Sequence, residues 1–182
     1  MAKPSDRFFT ERLLLRRWSV GDAPALKRAL DENVGHLKPW IPWAVAAPGT
    51  LEEITARIER WSRDFDDGRN WIWALWGDGG ATLLGAIGIY PRDATGRVLI
   101  AAADRAEIGY WLSTAATGRG YATEAARQAV EIARALPGIT RAEMRCDPAN
   151  ARSIAVPRRL RFRETERLVE EGEATVVWSL SL

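Results

Sequence analysis

Cysteine and histidine are nearly missing from this chain, which has one of each, Cys146 and His36, among 182 residues. A lone thiol excludes an intramolecular disulfide framework, and so few soft ligands leave no typical zinc site, so no metal is expected. Long apolar runs are missing too. Nothing approaches the roughly 20 residues of a membrane span, and MAKPSDRFF lacks the apolar core of a signal peptide, so a cytoplasmic protein with no membrane partner is expected. No block of one charge occurs. The net charge is +2 with bases and acids interleaved, which gives no footprint for nucleic acid. A nucleophile elbow, G-x-S-x-G, is absent, and the one histidine lies far upstream, so no hydrolase triad is available.

What is present is the composition of an ordinary globular domain, with 47 % apolar and 27 % charged residues. A chain of this length buries a core of its own, and residues 1–182 are read as one domain without internal repeats. Residues 11–18 suggest a first strand, and Ser19-Val20-Gly21-Asp22 suggests a capped helix to about Asp31. Pro39, Pro42 and Pro48 break the following segment, which carries Trp40 and Trp43. Thr50-Leu51-Glu52-Glu53 opens a second helix that Gly68 can end. Strands are expected at Trp71–Trp76, Thr82–Tyr90, Val98–Ala102, Ala106–Leu112, Thr140–Cys146, Phe162–Val169 and Thr175–Leu180. The β-rich runs on either side of Asp78-Gly79-Gly80 fit a hairpin, and Glu171-Gly172 centres another. Helices are expected from about Tyr121 to Leu136, with an alanine stripe for close packing, and from about Ala151 to Leu160. The class is therefore α/β (α+β), a mixed, mainly antiparallel sheet of about seven strands with about four helices.

One stretch has a chemical reading of its own. Thr117-Gly118-Arg119-Gly120-Tyr121-Ala122-Thr123-Glu124 joins an apolar strand, EIGYWL, to the alanine-rich helix. Glycines admit tight turns and close approach of a ligand to the backbone, and a helix start directs free N–H groups at the same point, so an anion is expected there. Two common phosphate loops fit badly. No Gly-Lys followed by Ser or Thr is present, and Thr123 stands where a dinucleotide fingerprint needs its third glycine.

TGRGYATEA, with AEIGYWL before it and NARSIAVPRRLRF after it, resembles the GNAT superfamily of acetyl-CoA-dependent N-acetyltransferases. The likeness spans nearly the whole chain, from TERLLLRRW to VVWSL, and is narrower to the RimJ/RimL-like branch, which includes enzymes acetylating ribosomal-protein N-termini. This resemblance implies a central strand–loop–helix–strand unit whose two strands splay to admit the donor. It implies that Gly118, Arg119, Gly120, Tyr121, Ala122 and Thr123 hold the CoA pyrophosphate, and that Ile108, Tyr110 and Leu112 line the strand with which the pantetheine arm pairs. It implies further that Asn150 contacts that arm and that Ser153 protonates the departing thiolate. Two departures stand out: Thr117 where the family has Arg or Gln, and Arg161 where it has the glycine of L-G-F. Proline in the last helix, here Pro157, is common in the branch.

The base is less well marked, with Glu107 the first candidate and Glu143 and His36 others; each is also an ordinary solvated or paired side chain. His36, Trp40 and Trp43 stand where the branch forms its acceptor wall, although core packing explains the tryptophans equally. An α-amine with pKa near 8 is roughly one-tenth neutral at pH 7, a lysine under a thousandth, so an N-terminal acceptor asks less of a base. Acetyl transfer to a primary amine, most naturally a protein or peptide N-terminus, in a ternary complex is therefore expected. A small-molecule amine and a non-catalytic acyl-CoA-binding module remain alternatives. Homodimers are common in the branch, and nothing in the residues bears on that.

Overall fold

The run WIWALWG is apolar at every position because the strand it forms is covered on both faces. Trp71, Trp73 and Leu75 enter one core cluster, and Ile72, Ala74 and Trp76 enter the other. The computed structural model describes residues 3–41, 49–170 and 173–182. Eight strands make one sheet: β1 (Arg7–Phe9), β2 (Leu14–Arg17), β3 (Trp71–Gly77), β4 (Thr82–Arg92), β5 (Arg105–Leu112), β6 (Arg141–Cys146), β7 (Arg163–Glu170) and β8 (Glu173–Ser181). Their order is β1-β2-β3-β4-β5-β6-β8-β7, and every neighbouring pair is antiparallel except β5 with β6. The described helices are α1 (Ala23–Glu32), α2 (Val34–Leu37), α3 (Leu51–Asp67), α4 (Tyr121–Arg134) and α5 (Ala151–Arg159).

The two clusters divide the helices. α4 and α5 pack with the cluster that holds Ile108, Leu112, Met144 and Cys146, whereas α1, α2 and α3 supply most of the other. The alanine stripe does what its spacing predicts. Ala125, Ala126, Ala129 and Ala133 are fully buried, so α4 lies close against the sheet. The Thr50 box forms as read, with Glu53 N–H donating to Thr50 Oγ1 and Thr50 N–H to the Glu53 carboxylate, and Gly68 at φ 69° ends α3.

One expected strand needs correction, and two elements were not expected. Val98–Ala102 is no strand: Ile100–Ala102 forms a 3₁₀ turn that buries Ile100 and leaves Leu99 exposed. Val98 packs against the same core and its N–H donates to the Pro91 carbonyl at 3.1 Å, but the stretch then turns away before a ladder forms. β1 was not expected, being three residues long and largely exposed, and it gains order by pairing Arg7–Phe9 with Leu14–Arg16. With it the sheet has eight strands, and α2 makes the helices five among the described residues. The Glu171-Gly172 turn lies outside the described residues.

The turn at Arg161 keeps the shape a glycine would give it. Arg161 sits at φ 63°, and Phe162 N–H donates to the Pro157 carbonyl at 3.0 Å, closing α5 as a left-handed cap does. A left-handed residue with a Cβ costs about 1–2 kcal/mol, and glycine returns part of that as unfolded-state entropy. Arg161→Gly is therefore expected to stabilise the protein by about 0.5–1 kcal/mol, read as a higher urea midpoint at unchanged slope. A lower midpoint would mean that the arginine side chain contributes more than its backbone strain costs.

Candidate active site

β5 and β6 pair only over Arg105–Glu107 and Arg141–Glu143. β5 nevertheless runs on to Leu112 and β6 to Cys146, so past Glu107 the strands part. One edge of Ile108–Leu112 is laddered to Gly85–Ile89 of β4, and the edge toward β6 has no strand on it. Backbone groups along such an edge can pair with an extended, amide-bearing ligand. Ile108, Tyr110 and Leu112, singled out from the sequence, all lie here.

The glycine loop stands at the far end of this strand. Gly118 and Gly120 have φ of 75° and 83°; a Cβ on Gly118 would meet nothing within 4 Å, so the space beside it is open, whereas one on Gly120 would stand 3.4 Å from Arg12 Nη2. Gly120 is the N-cap of α4, whose first helical bond runs from Glu124 N–H to the Gly120 carbonyl. The N–H groups of Gly120, Tyr121, Ala122 and Thr123 thus have no helical acceptor. Thr123 Oγ1, buried in the same turn, also lacks a hydrogen-bond partner. Free donors at the positive end of a helix suit a pyrophosphate. Thr117 turns away from that work, its hydroxyl donating to the Thr114 carbonyl at 2.8 Å.

Across the gap lies α5, whose N-cap is Asn150. Asn150 Oδ1 accepts from Ser153 N–H at 3.1 Å, and its amide N–H₂, which has no acceptor among the described residues, can donate to a ligand. Pro157 sits inside this helix and has no N–H, so the Ser153 carbonyl, four residues earlier, loses its helical partner. Tyr110 replaces it. The Tyr110 hydroxyl donates to the Ser153 carbonyl at 3.0 Å, tying the parted strand to the helix that carries Ser153. Burial pushes the Tyr110 phenol well above its usual range, so it remains a donor. Cys146 points to the same face, and burial raises its thiol to about 12, which makes it an inert packing residue.

On the opposite face, where the ladder ends, the charges are paired. Arg92 Nη1 lies 2.7 Å from one oxygen of buried Glu107 and Arg97 Nη2 2.8 Å from the other. Both carboxylate oxygens are committed, so this geometry does not support Glu107 as a base. Glu143 is likewise buried, with Arg105 Nη1 at 3.3 Å and Arg145 Nη2 at 3.9 Å. The Tyr90 ring fills the space that a Cβ on Gly88 would need and stands beside Gly109, and the Arg97 guanidinium covers it at 4.0 Å. His36 is half-buried on α2 and Trp40 is exposed just beyond it; no hydrogen bond or ring contact among the described residues joins either to Ser153 or Glu107. Trp43 lies outside the described residues. Among those residues, no group of three His, Cys, Asp or Glu is placed to hold a metal, and no helix is long and apolar enough to cross a membrane.

Several residues with no assigned role prove to hold the loop. Asn33, buried at the end of α1, accepts from Thr114 N–H at 2.7 Å and donates to the Ala29 carbonyl at 2.7 Å, which anchors the segment entering the loop. Thr10 and Arg12 reach Glu124 on α4 from the turn before β2. The contacts to Glu124 join residues more than a hundred positions apart and leave no local signal, although TERLLLRRW contains both Thr10 and Arg12 and TGRGYATEA contains Glu124.

The family profile described as "Acetyltransferase (GNAT) domain" matches residues 12–163. The putative ribosomal N-acetyltransferase YdaF of Bacillus subtilis (strain 168) is 27 % identical over 164 residues, covering 90 % of this chain and 81 % of its own length. Two solved structures share the fold at 18 % identity: RimL, a ribosomal L7/L12 alpha-N-protein acetyltransferase in complex with coenzyme A (TM-score 0.81; 95 % of this chain, 96 % of that one), and the Microcin C7 self immunity acetyltransferase MccE in complex with acetyl-CoA and AMP (TM-score 0.82; 95 % and 94 %).

The link between Tyr110, Ser153 and Pro157 has a measurable signature. Tyr110→Phe leaves the Ser153 carbonyl without its partner and is expected to cost about 1–3 kcal/mol. Pro157→Ala supplies an N–H four residues on, so the double variant should lose less than the sum of the singles by about 1 kcal/mol. Strictly additive losses in urea denaturation would show that proline and tyrosine do not share that carbonyl.

Proposed function

This chain belongs to the acetyltransferase (GNAT) family, and from that premise we propose that it moves an acetyl group from acetyl-CoA to the α-amine of a protein or peptide N-terminus. The observation that carries the donor side is the end of the β5–β6 ladder at Glu107 and Glu143, with the glycine loop beyond it. A peptide-like arm fits the open edge of β5, and a pyrophosphate fits the free amides of Gly120 to Thr123. Acetyl-CoA supplies an acyl group already activated as a thioester; the chain's part is to bind, orient and move a proton.

Ser153 is the residue we assign as acid. Its N–H is taken by Asn150 and its carbonyl by Tyr110, so the backbone at that position is fixed on both sides while the hydroxyl makes no hydrogen bond among the described residues. That hydroxyl donates a proton to the sulfur as the thioester bond breaks. Main-chain N–H groups of Ile108–Leu112 polarise the acyl carbonyl. The acceptor enters as a neutral amine; its nitrogen bonds the acyl carbon as the C–S bond breaks, and the proton that the nitrogen then sheds restores the Ser153 hydroxyl through solvent. Glu107, held between Arg92 and Arg97, serves to neutralise the closed end of the gap. The α-amine is favoured because it is neutral often enough at pH 7 to need little help, and because YdaF and RimL bear names of ribosomal-protein acetyltransferases. A cytoplasmic setting accords with such an acceptor.

Release of free thiol from acetyl-CoA tests this reading against a panel of peptides with free N-termini, N-blocked lysine peptides and small amines. Turnover is expected on the free N-termini, and Ser153→Ala should lower kcat by about a hundredfold or more in the same assay. Turnover on small amines alone would move the acceptor to a metabolite. Coenzyme A binding with no turnover on any acceptor would reduce the protein to a binding module, and an unchanged kcat would remove Ser153 from the chemistry.

A further inference from the structure

We propose that Arg12, which belongs neither to the glycine loop nor to the parted strands, is the positioning residue that aims the Gly120 amide at the donor's pyrophosphate. This rests on the reading of the loop as the phosphate site. Arg12 stands in the turn before β2, and its Nη1 donates to the Arg119 carbonyl at 2.9 Å. In a trans peptide the carbonyl and the following N–H point in opposite directions, and no cis peptide occurs among the described residues. Drawing the Arg119 oxygen toward Arg12 therefore turns the Gly120 N–H to the other side of the peptide plane.

That plane would otherwise be free to turn over. A flip of the Arg119–Gly120 peptide is absorbed by ψ of Arg119 and φ of Gly120, and Gly120, at φ 83°, tolerates either sign. A flipped peptide would present a carbonyl oxygen to a phosphate in place of a donor. Arg12 opposes this flip with a charge-assisted hydrogen bond.

Arg12 is itself held in place. Its Nε lies 2.7 Å and its Nη2 2.6 Å from Glu124 Oε2, and its own backbone N–H donates to Glu124 Oε1 at 2.8 Å. Thr10 Oγ1 donates to the same Oε1 at 2.6 Å, and the guanidinium covers the Tyr121 ring at 4.7 Å. Burial by itself raises the Glu124 carboxyl, but the hydrogen bonds from Thr10 and Arg12 outweigh it and hold the group below its ordinary range. Glu124 thus stays ionised one turn inside the helix whose start receives the anion. Its charge suits the helix dipole but would repel a phosphate; Arg12 cancels the repulsion while orienting the amide.

Two acetyl donors distinguish a role at the pyrophosphate from a general structural one. Acetyl-CoA carries the pyrophosphate, and the acetyl thioester of N-acetylcysteamine has the thioester without it. With the full chain, Arg12→Ala is expected to raise KM for acetyl-CoA tenfold or more at little cost in kcat, to weaken coenzyme A binding in parallel, and to change kcat/KM for the short thioester less than twofold. Arg12→Lys, which keeps the charge and loses the fork, should recover part of the acetyl-CoA KM. If the alanine variant melts early, Arg12→Gln is used and the same split between donors is expected. Equal losses with both donors, or an unchanged KM for acetyl-CoA, overturn the inference alone. A wild-type chain that neither binds coenzyme A nor uses acetyl-CoA overturns the phosphate-loop reading, and this inference with it.

Discussion

The architecture depends on where one parallel ladder stops. Glu107 and Glu143 face each other at the last paired position of β5 and β6, and both are buried. Two like charges directly opposite on adjacent strands repel, and burial sharpens the repulsion. Arg92, Arg97, Arg105 and Arg145 surround the pair and make it tolerable. Beyond this cluster the strands separate, and the gap they leave is the proposed donor site. Removing one member of such a network leaves an uncompensated buried charge, which is far costlier than losing a surface ion pair.

The site is assembled by ties that cross the gap or brace its rim rather than fill it. Tyr110 bonds the carbonyl that Pro157 leaves free and so joins β5 to α5. Asn33 anchors the segment leading into the glycine loop, and Arg12 holds the loop's central peptide. In each case a polar group that secondary structure cannot satisfy finds a partner from a distant element. The amides proposed to face the donor are then the ones left over, already oriented by the fold, an arrangement that lowers the ordering cost of binding.

Local features of this arrangement were legible in the sequence. The glycine loop, the Thr50 box, the alanine stripe and the N-x-x-S helix start each have a short-range cause and appear where their residues placed them. Arg161 illustrates a half-legible case: its departure from glycine was evident, but only the structure shows that the left-handed turn survives the substitution. What could not be read depends on tertiary neighbours. β1 is too short to carry a pattern, Val98–Ala102 has strand-like residues but bonds the sheet only through Val98, and Glu107 is chemically plausible as a base until the arginines around it are located. The same holds for Arg12 and Glu124, whose meeting nothing in either segment announces.

The central claim is that the open edge of β5 and the amides at the start of α4 form one binding site for one donor. Hydrogen–deuterium exchange of the full chain with and without coenzyme A tests it most directly. Peptides covering 108–112 and 118–123 are expected to slow together, with the same dependence on ligand concentration. Protection of the loop alone, or of neither segment at saturating ligand, would contradict the account.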